Sequence, residues 1–262
     1  MVLAAGFASA DVSFSGTAGV ALIDDNGASL STRADMFAES YYDLDIAATA
    51  ETDNGISVKL GLDLGSGGKI DYDDDDKLEV QSAALGDADV AVSYNGWTLA
   101  VDQAGINNLY DDTDGSQDMS LSGAVMGWTV ALTTDQEGST SSYKVGGTVG
   151  AVALTFTGTD VVAAGGDATA IGITYAINDT LTFSYKSIKP GSRASDDFGD
   201  EWDAKAAYSA GGFSASFATD ETDATTVIAE YTLGGGATAF AAMHDKAGTA
   251  KDLTALGLTF AF

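Results

Sequence analysis

Apolar residues recur at every second position through most of the chain, the signature of extended strands with one apolar face, and no helical period competes with it. Val12, Phe14, Ala18, Val20 and Leu22 share a face with Gly16, and Tyr42, Leu44, Ile46 and Ala48 repeat the pattern. After Asp53-Asn54-Gly55 come Ile56, Val58, Leu60, Leu62 and Leu64. Val90, Val92 and Tyr94 run into Asn95-Gly96, the strongest short hairpin signal, and Trp97, Leu99 and Val101 run out of it. The same reading places further hairpins at Gly127, Gly150, Asn178-Asp179, Gly211-Gly212 and Gly234-Gly235-Gly236, the last leading to Phe240 and Ala242 as outward residues. The final strand, DLTALGLTFAF, carries Leu256, Leu258, Phe260 and Phe262 on one face.

These segments amount to about sixteen strands, an even number as in single-chain bacterial membrane barrels. Tight Gly, Asn and Asp turns join one set of ends. Longer polar stretches, 24–39, 65–87, 104–117, 135–141, 160–167, 187–201, 220–224 and 244–251, join the other. The expected fold is therefore all-β, a transmembrane antiparallel up-and-down β-barrel of about sixteen strands. Charged residues within the strands, Asp43, Asp45, Lys59, Asp63, Asp102, Lys144, Lys186, Asp203, Lys205 and Glu230, oppose the apolar face. A soluble sandwich predicts that too, with its apolar faces packed inside. The aromatics separate the two: Trp97, Trp128 and Phe213 follow tight turns directly and Tyr94 precedes one, as at a membrane interface.

Composition sharpens this reading. The 262 residues include no Cys, 32 Gly and one Pro, with 39 acidic against 11 basic residues and a net charge of -28. Without thiols there is no disulfide framework and no Cys-based metal site. No apolar run is long enough to cross a bilayer as a helix, so membrane passage requires a barrel. The negative charge argues against nucleic-acid partners and favours cations. Residues 1–10 read as the end of a secretory signal, with Ala8-Ser9-Ala10 as a small-residue cleavage site, and residues 11–262 as the barrel.

Three stretches resemble the general porins of alphaproteobacteria, the Rhodobacter type: Asp11-Val12-Ser13-Phe14-Ser15-Gly16 at the start, 93–102 (SYNGWTLAVD), and the terminal strand ending on Phe262. The resemblance implies a Gram-negative outer-membrane protein, embedded in lipid and trimeric, through which small hydrophilic solutes and ions diffuse passively. It also implies a third loop folded into the pore, but 104–117 is short for that family, which leaves the eyelet open at this point.

The residues expected to line the pore or its constriction are Asp43, Asp45, Lys59, Asp63, Asp102, Asp111, Asp112, Asp114, Lys144, Lys186, Lys205 and Glu230. Acidic groups outnumber basic ones there, so cation preference is expected. Asp71, Asp73, Asp74, Asp75 and Asp76 form an acidic run whose oxygens could hold Ca²⁺, but it lacks the spacing of a calcium loop, and a solvated, self-repelling external loop is the favoured reading. No other cofactor is indicated. His244 has no Ser or Cys partner at a recognisable spacing and reads as a surface residue near a loop. Asp43 and Asp45 share a face as an acid/base pair would, but a hydrated lumen wall is the better reading because Asp and Glu abound and no substrate pocket is implied; no enzymatic activity is expected. The second functional reading is a secreted or surface-attached acidic β-rich protein, an adhesin or calcium-dependent coat component.

Overall fold

In the computed structural model, residues 7–24, 36–71, 79–82, 89–110, 117–161, 168–189, 201–245 and 252–262 are described. They form β1 (Phe7–Asp24), β2 (Met36–Thr52), β3 (Ser57–Asp71), β4 (Glu79–Ser82), β5 (Asp89–Tyr94), β6 (Trp97–Ile106), β7 (Gln117–Val125), β8 (Trp128–Thr134) and β9 (Thr140–Val149). There follow β10 (Val152–Val161), β11 (Ala168–Ala176), β12 (Leu181–Lys189), β13 (Glu201–Ala210), β14 (Phe213–Asp220), β15 (Thr225–Gly234), β16 (Ala237–Asp245) and β17 (Leu253–Ala261). Each strand pairs antiparallel with its neighbours, and β1 pairs with both β2 and β17, so the sheet closes on itself. Short β4 pairs only with the tail of β3, which leaves a barrel of sixteen strands. A single closed sheet excludes the two-sheet sandwich.

Closure uses the last residue. Gly16 N–H donates to the Phe262 carbonyl and Phe262 N–H to the Gly16 carbonyl, both at 3.1 Å, extending the ladder that runs from Thr17↔Ala261 to Asp24↔Thr254. β1 takes in Phe7–Ala10, which the sequence reading assigned to the leader, and pairs Ala10 with Ala50. The hairpins form as the turn residues dictate: Asn95 and Gly96 take φ of 52° and 79°, the pair of positive values that matches the twist of the flanking strands. Met126-Gly127 adopts the same geometry with a non-Gly residue at its first position, at φ 53°.

Side chains alternate across the wall. Leu60, Leu99, Leu121, Leu132, Phe156, Ile173 and Phe217 are all exposed although they lie well inside their strands, and Leu132 is 50% accessible. Beside the tight turns Tyr94 opposes Trp97, Phe213 opposes Tyr231, and the rings of Tyr208 and Phe213 lie 6.3 Å apart. This outer face is apolar where a soluble protein would be wet.

One sector departs from the sequence reading. Tyr231 pairs with Ala239 across β15 and β16, so Ala239, Ala241 and Met243 point outward. Phe240 and Ala242, expected on the outside, face the interior at 2% and 3% exposure. There they pack with Ala21, Ile23, Phe37, Ile228, Leu253 and Ala255 into an apolar cluster inside the barrel, across β15–β17 and β1–β2 at the long-loop end. Strand β16 (ATAFAAMHD) has small apolar residues on both faces, so its own pattern does not select an orientation; the ladder to β15 does. His244 shares the inner face. It is buried at 7% exposure, its Nδ1 2.8 Å from Thr226 Oγ1, and is therefore not a surface residue.

Candidate functional site

The interior outside that apolar sector is polar. Asp45 on β2 stands directly opposite Asp63 on β3 and accepts a hydrogen bond from Ser15 Oγ at 3.4 Å. Asp43 lies two residues along the same face, and Lys59 two residues beyond Gly61 on that of β3. Asp89, at the first position of β5, pairs with Gly61, where a Cβ would stand 2.6 Å from its carboxylate. Four carboxylates thus collect on the wall formed by β2, β3 and β5. Asp89 escaped the sequence reading because it sits at a strand edge next to an acidic loop, where parity has no neighbours to lean on.

Lys144 on β9, Lys186 on β12 and Lys205 on β13 line a space of about 620 Å³ together with Thr155, Thr157, Ser184, Glu201 and Asp203. Going round the ladder, β3 and β12 are eight strands apart in either direction, so this group and the carboxylates occupy opposite walls. Glu230 is also on the inner face, accepting from Ser214 Oγ at 3.0 Å. Asp102 lies on β6 within the register shift between Val101 and Ile106, where its carboxylate packs against Gly105.

After that shift the chain turns into the barrel. Buried Asn108 donates from Nδ2 to Thr159 Oγ1 at 3.4 Å, Leu109 N–H donates to Ser142 Oγ at 2.9 Å, and Lys186 Nζ donates to the Tyr110 carbonyl at 3.2 Å. These contacts carry residues 107–110 from β6 to β9, β10 and β12, six strands round the wall, so the short third loop does fold inward. Asp111, Asp112 and Asp114 lie outside the described residues, as do Asp73, Asp74, Asp75 and Asp76. For Asp71 only the backbone pairing with Glu79 is described. Among the described residues, no group of three or more His, Asp or Glu side chains is arranged to hold a metal ion.

Among the described residues, then, a closed antiparallel barrel carries an apolar exterior, a largely polar interior and a segment, 107–110, that folds inward. Solved structures of this shape include engineered variants of the Rhodopseudomonas blastica porin, which align over 96% of this chain and 100% of theirs with a TM-score of 0.71 at 17% identity. Salmonella typhi OmpF in complex with daunomycin aligns over 96% of this chain and 97% of its own, with a TM-score of 0.60 at 11% identity. At these identities the likeness is one of fold. No protein-family model matches the chain, and no curated protein matches it by sequence.

Proposed function

We propose that this chain is a porin of the Gram-negative outer membrane: a water-filled channel through which small hydrophilic solutes and ions diffuse passively, without catalysis and with a preference for cations. The observation that carries this reading is the pairing of two walls in one closed sheet. Large apolar side chains stay exposed at mid-strand on the outside, where only lipid would cover them, while the inside is lined by carboxylates, lysines and hydroxyls. The excess of acidic residues, 39 against 11 basic, supports cation preference. The acidic run at 71–76 supports Ca²⁺ binding only by composition.

The resemblance to general porins further suggests a homotrimer. Small outward residues are interspersed among the large ones near the closure, with Ala239 and Ala241 on β16, Ala18 on β1, and Ala38 and Ser40 on β2. Over β1, β2 and β17 lies a shallow apolar groove of about 430 Å³ bordered by Val20, Leu22, Ala38, Leu256 and Leu258. Such a patch lets two walls approach closely. Cross-linking in mild detergent that yields only monomer would remove the trimer and leave the channel.

Single-channel recording on the refolded protein tests the function. Stable conductance steps that scale with salt concentration are expected, along with a gel mobility that changes on boiling. A protein that folds into a heat-modifiable barrel yet never conducts would refute the channel.

A further inference from the structure

The inward-folded segment is held in two ways. Neutral hydroxyls take its first part: Asn108 Nδ2 bonds Thr159 Oγ1, and Leu109 N–H bonds Ser142 Oγ, which itself bonds Thr133 Oγ1 and fully buried Gln117. Asn108 Oδ1 also accepts from Tyr110 N–H at 2.8 Å, a side-chain turn that fixes the direction in which the chain leaves. A charged donor takes the far end. Lys186 Nζ reaches the Tyr110 carbonyl at 3.2 Å and stands 5.6 Å from the centre of the Tyr110 ring, within cation–π range. A charge-assisted hydrogen bond is about twice as strong as a neutral one. It is also the one contact of the set that dissolved salt weakens.

We propose that Lys186 is a positioning residue for conduction: its ammonium, seated on the Tyr110 carbonyl and against the Tyr110 ring, latches residues 107–110 to the β12 wall and fixes the aperture there. Lys186 has been read as one charge among three on the lumen wall. In this assignment its distinctive role is mechanical, and Lys144, which lines the same space, supplies charge without the latch. The proposal rests on the channel reading only for its consequence in conductance; the latch itself is a property of the folded barrel.

Two measurements separate the layers. Amide hydrogen exchange of the detergent-solubilised barrel should show Leu109 and Tyr110 exchanging about tenfold faster in Lys186→Met than in the unmodified protein, the size expected for loss of a charged hydrogen bond. Lys144→Met should leave both amides unchanged, and Lys186→Arg should restore most of the protection. Equal protection in Lys186→Met and the unmodified protein overturns the latch, whether or not the protein conducts.

In planar bilayers, both Met variants should shift the reversal potential in the same direction, because each removes one positive charge. Only Lys186→Met should add open-channel noise, and Lys186→Arg should be quiet. Noise of the same size in Lys144→Met would mean that charge, not the latch, sets the aperture. If Lys186→Met fails to give a heat-modifiable barrel, raising the salt on the unmodified protein serves instead: exchange at Leu109 and Tyr110 should accelerate between low and molar salt, and no acceleration overturns the proposal.

Discussion

The ring of Phe240 lies over Gly257: a Cβ at position 257 would stand 2.6 Å from Cε1 of that ring and 2.5 Å from the carbonyl oxygen of Val20. The same arrangement recurs across other ladders, with Trp97 over Gly123, Trp128 over Gly147, Tyr143 over Gly158 and Tyr41 over Gly19. An interior glycine weakens a strand by exposing backbone, and a cross-strand aromatic covers it. In the Phe240 pair the covered glycine also anchors the apolar cluster inside the barrel. Phe240→Ala should therefore lower stability by about 3–5 kcal/mol, as expected for a buried Phe, and Gly257→Ala should be destabilising because the backbone carbonyl of Val20 cannot move aside cheaply. Urea unfolding in detergent micelles measures both. A loss near zero for Phe240→Ala would mean that the cluster is not packed.

The two faces of the wall make a second test. Arg at Leu60 or Leu154 should cost about 2–4 kcal/mol if those side chains meet lipid at mid-membrane, while Arg at Ser120 or Thr155 on the inner face should be tolerated. Refolding yield into lipid vesicles under a urea series gives the difference. Equal tolerance at both sets would contradict the assigned faces.

Much of this was legible in the sequence because period two is strict where one face of a strand is apolar and the other polar. Along β1, β2 and β3, and again through the terminal strand, the alternation agrees with the ladders. It failed at Phe240, where both faces are apolar: no contrast remained to read, and only the pairing of Tyr231 with Ala239 orients the strand. His244 was misread for the same reason. The length of the third loop left its course open, since only a few residues carry the chain from β6 to partners as far as β12, six strands away. What carries them is a set of distant partners, Thr159, Ser142 and Lys186, that no local pattern connects to Asn108 or Tyr110.

The lumen charges give a third prediction. Asp45 and Asp63 stand opposite each other with Asp43 and Asp89 nearby, and the four negative charges face a wall bearing Lys144, Lys186 and Lys205. Neutralising Asp45 and Asp63 together to Asn should reduce cation preference, seen as a reversal potential closer to zero under a potassium chloride gradient, while Lys144→Met should increase it. Relief of like-charge repulsion should also make the double variant no less stable than the unmodified barrel. An unchanged reversal potential would place the selective charges elsewhere.

The turn between β8 and β9 provides a pH-dependent test outside the strands of the barrel wall. Asp135 accepts hydrogen bonds from the hydroxyl and the backbone N–H of Ser139, the latter at 2.7 Å, and from Thr140 N–H at 3.0 Å. The Ser139 hydroxyl above all, with these backbone donors, holds the Asp135 carboxyl below its ordinary value, because each bond favours the charged form. A carboxyl whose pKa is lower folded than unfolded contributes order that is fully present above the unfolded value, about 3.9, and is lost as pH falls through the lowered one. The turn should accordingly hold its conformation at neutral pH and open only in strong acid. In an NMR titration of the solubilised barrel, the Ser139 and Thr140 amide signals should move together with a midpoint below that of a model aspartate. In Asp135→Asn the acid transition should vanish, since no charge is left to lose. A midpoint at or above the model value would show that the carboxylate is not held by these donors in solution.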